Sequence, residues 1–158
     1  MNFFFRAVLA LHVMGIVVMA GTTMIDYLTY KTFWKLADAG DARGLGLIPL
    51  MAKYGAFVRA GAVMIILTGL LLSMQEKGLF WGQSWFRIKM ALTVVLVLNG
   101  MLVGNRQGNQ LRDTVSAHVA DFARYTMDIR VSMNRFYPMQ LILFLLLISI
   151  SIIATHRG

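Results

Sequence analysis

The chain has 158 residues, 58% of them hydrophobic, a mean hydropathy of +0.68 and no cysteine. That composition places it among multi-pass membrane proteins and excludes disulfides, thiolate catalysis and iron–sulfur ligation. The net charge of +8 comes from basic residues flanking apolar runs, which points to anionic lipid and membrane topology and not to nucleic acid.

The first apolar run, about residues 7–27, is long enough to cross a bilayer and contains only His12 and Asp26 as ionisable groups. At helical spacing His12, Gly15, Met19, Thr22 and Asp26 share one face, so this seam is expected to face protein and not lipid. The run is too long for a signal h-region and lacks a small-x-small cleavage site, which makes it a retained anchor. A polar loop follows, about residues 31–53, with a short helical stretch, TFWKLADA, stopped by Gly40, and Pro49 where a new helix can begin.

The second span is expected at about residues 56–73, with Arg59 near its start and a Thr68-Gly69 step in its middle. Trp81 and Trp85 then sit at a depth suited to an aromatic belt. The third span, about residues 86–104, opens with Lys89 and contains Asn99; Lys89, Thr93 and Gly100 share a face.

Residues 110–136 are too polar to span. Leu111, Val115, Phe122, Ile129, Met133 and Phe136 recur there at helical spacing, so the segment reads as an amphipathic helix on the membrane or at the bundle's end. Pro138 restarts the chain as a fourth span, about residues 139–155. His118 is expected to pack beside the amphipathic stripe, and His156 to be terminal and exposed. The fold class predicted is an all-α, integral membrane four-helix bundle in one domain.

Basic residues set the orientation. Loops one and three carry Lys31, Lys35, Arg43, Lys53, Arg59, Arg106, Arg112, Arg124, Arg130 and Arg135, against Arg6, Lys77, Arg87, Lys89 and Arg157 on the other side. Ten against five places both loops in the cytoplasm of an inner (plasma) membrane protein, with both termini outside. His12 and Lys89 then enter from one side and differ in depth by only roughly 3 Å. At the other end Asp26 and Arg59 lie at similar depth, which suggests a pair.

LHVMGIVVMAG, KYGAFVRAGAVMIILTGLLL, SWFRIKMALTVVLV and FYPMQLILFLLLISI together resemble the layout of the HemJ type of protoporphyrinogen IX oxidase and of related four-span proteins. The resemblance covers all four spans. It implies a bundle associated with haem b, in which a first-span histidine of an LH pair and a lysine opening the third span are functional. Those positions here are His12 and Lys89, the latter reached from Trp85.

A lone membrane imidazole can ligate haem, or it can simply bond to a neighbouring polar group. Lys89 is a ligand or propionate partner on the first reading and a snorkelling residue on the second. Met19 is a weaker candidate ligand, since the methionines otherwise read as apolar filler. No carboxylate pair, Ser-His-Asp set, zinc spacing or phosphate-binding glycine motif is present, which argues against hydrolysis and phosphoryl transfer. Two classes follow: a haem-b membrane oxidoreductase with porphyrinogen or quinol chemistry, or a non-enzymatic subunit of a larger electron-transfer or pigment complex. A homo-oligomer fits either. Transport fits less well, for want of a broken-helix signature.

Overall fold

The computed structural model describes residues 3–75, 82–117 and 126–156. The expectations for Trp81, His118 and Phe122 fall outside them, and of the His156 side chain nothing is stated. In chain order the elements are α1 (Phe3–Asp38), a 3-10 turn (Ala42–Leu47), α2 (Ile48–Gln75), α3 (Ser84–Asn99), a π-helical turn (Gly100–Asn105), α4 (Arg106–Ala117) and α5 (Met127–His156). The chain is an all-α membrane bundle, with four helices long and apolar enough to cross a bilayer.

Helix α1 has 36 residues. At 1.5 Å per residue it is about 54 Å long, well beyond the ~30 Å hydrocarbon core. TFWKLADA is thus the continuation of the first span and not a separate helix. It stops where the sequence allows: Gly40 takes φ +67°, and Gly40 and Asp41 N–H groups bond back to the Ala37 and Leu36 carbonyls at 3.0 and 2.9 Å. This is the paired cap that a left-handed glycine closes. Asp41 then caps the 3-10 turn, accepting from Arg43 N at 2.9 Å. Pro49 stands in the first turn of α2, where its missing N–H costs nothing.

Two expectations about the polar segment are corrected. Among the described residues it divides between two helices, with Thr126 in a turn: α4 continues the third span through the π turn to Ala117, and α5 begins at Met127. Pro138 does not restart the chain either, because it lies inside α5. The apolar stripe nevertheless does what its spacing requires. Leu111, Val115, Ile129, Met133 and Phe136 are buried with Tyr30, Phe33, Trp34 and Tyr137, in a core that α1, α4 and α5 build at the end of the bundle bearing the α1–α2 loop. Gly104 admits Phe136 to this core, since a Cβ there would lie 2.6 Å from the ring's Cζ.

Deeper in the bundle the packing changes. A Cβ on Gly61 would meet the Gly15 carbonyl at 3.1 Å and Met19 Cβ at 2.9 Å, so α1 and α2 touch almost backbone to backbone. Met19, Leu96, Leu143 and Phe144 form the central core there. The pair of α3 and α5 is bridged by Asn99 Nδ2 donating to Gln140 Oε1 at 2.7 Å.

Candidate functional site

The close approach of α1 and α2 brings the His12 ring onto α2 between Ile65 and Gly69. A Cβ on Gly69 would sit 3.4 Å from His12 Cε1, so glycine leaves the ring its seat. His12 Nδ1 lies 2.9 Å from Thr68 Oγ1. The Thr68 hydroxyl donates to the Met64 carbonyl at 2.5 Å, so its one hydrogen is committed to its own helix. The hydrogen-bond network therefore assigns the proton to Nδ1, donating to Thr68 Oγ1. In that tautomer Nε2 carries the ring's lone pair.

Lys89 of α3 is half-buried and within electrostatic reach of His12. Among the described residues it has no ion pair. Its own backbone carbonyl accepts from the Thr93 hydroxyl at 2.9 Å, one turn along the seam. Met19, only 2% exposed, packs in the central core against Gly61, two turns from His12 on the same helix. Met19 thus stands apart from His12, in the central core. Among the described residues no group of three or more His, Cys, Asp or Glu is assembled around a point in space.

The expected pair of Asp26 with Arg59 does not form. Asp26 Oδ2 accepts from the Tyr137 hydroxyl at 2.8 Å, and its Oδ1 is buried without a partner. Arg59 is exposed and reaches Asn105 Oδ1 at 3.5 Å. α5 also packs on α1 at this depth and brings Tyr137 to Asp26, its ring 5.3 Å from that of Tyr27 and 5.1 Å from that of Tyr30.

Three polar residues that matter here were not singled out by sequence reasoning: Thr68 as the histidine's partner, Tyr137 and Gln140. The usable signal was a hydrogen-bonding group inside the second apolar run (Thr68), one inside the fourth (Gln140) and one just before it (Tyr137). Comparison of the chain with protein-family models, with curated proteins and with solved structures returns no match.

Proposed function

We propose that the chain is a small haem-b-binding oxidoreductase of the membrane, in which His12 would ligate the haem and Lys89 would help hold it from α3. The observation that supports this is the orientation of His12. An imidazole that ligates through one nitrogen is held through the other, and Thr68 holds Nδ1 while Nε2 keeps its lone pair. One imidazole suffices because haem brings four nitrogens of its own, whereas a bare metal ion would need a ligand cluster. Bound haem supplies one-electron transfer. The residues of this chain bind and orient it: His12 by ligation, Thr68 by fixing the tautomer, and Lys89 as a second ligand or as the cation beside a propionate. On the likeness to HemJ proteins, the substrate class is a porphyrinogen or a quinol. The asymmetry of basic residues supports an inner (plasma) membrane protein with the α1–α2 loop in the cytoplasm and both termini outside.

The alternative, a non-enzymatic subunit of a larger membrane complex, is favoured by one observation. Two clefts of the bundle lie toward the loop end and touch neither His12 nor Lys89. Colour separates the two readings. Purified after haem supplementation, the protein is expected to show a Soret band that shifts on dithionite reduction. His12→Ala should abolish the band in a protein that still inserts, and Thr68→Val should weaken haem retention about 10- to 100-fold. Lys89→Met should shift the spectrum or weaken retention. A colourless wild type, or an unchanged spectrum in His12→Ala, would leave the subunit reading standing.

A further inference from the structure

Beyond residue 27 the last three turns of α1 leave the apolar run, and with α5 they line a cleft of about 270 Å³. Trp34 lines it, only 4% exposed, and its indole Nε1 is buried with no hydrogen-bond partner. The Tyr30 hydroxyl lies beside the indole but outside hydrogen-bond geometry, and donates its own hydrogen to the Arg130 carbonyl at 3.0 Å. An indole N–H can only donate, so the group it lacks is an acceptor.

The charges around the cleft point the same way. Arg130 covers the Trp34 ring at 4.5 Å and grips both Asp38 carboxylate oxygens at 2.9 and 2.7 Å, so the carboxylate is already engaged. Lys31 sits 5.6 Å over the Tyr27 ring, and among the described residues neither Lys31 nor Lys35 has an ion pair. Three cations and one carboxylate leave the cleft positive, and Asn134 adds an exposed amide at its rim. At 1.5 Å per residue Lys31 and Lys35 stand roughly 6 to 12 Å past the end of the apolar run, the depth of lipid headgroups. Just below them on α1, Met24, Ile25 and Leu28 are exposed.

We propose that this cleft binds the phosphate of an anionic phospholipid. Lys31 and Lys35 supply the charge, Trp34 Nε1 and the Asn134 amide donate to phosphate oxygens, and the acyl chains lie along the apolar face of α1. The Arg130–Asp38 pair fixes the indole and does not itself need to contact the lipid.

The test uses the full chain in phosphatidylcholine nanodiscs titrated with phosphatidylglycerol, reading the Trp34 indole N–H resonance and bound lipid by native mass spectrometry. A saturable shift with phosphatidylglycerol is expected. Lys31→Gln/Lys35→Gln should weaken it about 30-fold, and Trp34→Phe, which keeps a ring but removes the donor, should weaken lipid retention about tenfold. Asn134→Ala, at an exposed position, should weaken it several-fold and stands in if Trp34→Phe fails to fold. Retention unchanged in the double lysine variant, or an equal shift with phosphatidylcholine alone, overturns the proposal. An equal shift with inorganic phosphate or glycerol 3-phosphate assigns the cleft to a soluble anion and overturns the lipid. The haem reading is not involved, since the Soret band does not report on this cleft.

Discussion

At the loop end, Tyr30, Phe33, Trp34, Met133 and Tyr137 pack as the interior of a water-soluble protein does, large rings against one another. Farther into the bundle, Gly15 and Gly61 let two backbones meet, Asn99 and Gln140 bridge two helices, and much of the apolar surface faces outward. The difference follows from the solvent. Outside the hydrocarbon, water drives rings together. Inside it, lipid solvates a leucine as well as a neighbouring helix does, so contact depends on close fit and on hydrogen bonds.

The largest effect that tests this contrast is a matched pair of truncations. Phe33→Ala, at a fully buried position of the loop-end core, should cost about 3–5 kcal/mol. Phe144→Ala in the central core should cost about half as much, because lipid replaces much of what the ring loses. Unfolding in mixed micelles measures both, and equal costs would break the comparison.

A smaller effect sharpens the membrane side. Gly61→Leu forces atoms into the space held by Met19 and the Gly15 carbonyl and should cost about 1–3 kcal/mol. Gly21, on the same helix as Gly15 but with nothing within 4 Å of an added Cβ, should accept alanine without loss. Thermal midpoints of the two variants decide it. If Gly61→Leu is as stable as Gly21→Ala, the close approach of α1 and α2 is not what holds them.

The two regions were not equally legible. The apolar runs announce four spans, and the 3.6-residue spacing of Leu111, Val115, Ile129, Met133 and Phe136 announces a buried stripe before any partner is known. What covers that stripe was not readable, because nothing local says that α1 continues past its span to meet it. Pro138 misled for a related reason. Proline disfavours a helix interior locally, yet in α5 the packing of Phe136 and Tyr137 on one side and Gln140 on the other carries the helix through it. At the candidate site, depth along the spans suggested His12 near Lys89, and the half-buried Lys89 acts on His12 electrostatically. The same reasoning failed for Asp26 and Arg59: their helices are neighbours, but depth alone does not say which face each residue takes, and Arg59 is exposed.

The smallest effect lies in the α1–α2 loop, outside both cores. Hydrogen bonds from the Arg43 guanidinium, and then from its backbone N–H, hold the Asp41 carboxyl below the usual carboxylate range. A depressed value stabilises the fold above the ordinary carboxylate pKa of about 4, and the contribution fades as pH falls through the lowered value. Because the group is only partly buried and at the surface, Asp41→Asn should lower the thermal midpoint only slightly at neutral pH, and the gap from wild type should close under acid. A gap that widens in acid would reverse the sign.

The π turn at Gly100–Asn105 sets the phase between the third span and α4. One wide turn absorbs a residue that an α-helix would not, and each residue of an α-helix turns the chain by about 100°. A face of α3 that looks inward within the membrane is therefore offset by that angle when the helix emerges. At this phase Leu111 and Val115 lie in the buried core that also holds Tyr30 and Phe33. Deleting one residue between 100 and 105 would leave the span's length and apolarity almost unchanged while swinging the whole of α4 off its core. The register of this turn is what couples the membrane half of the molecule to the half outside it.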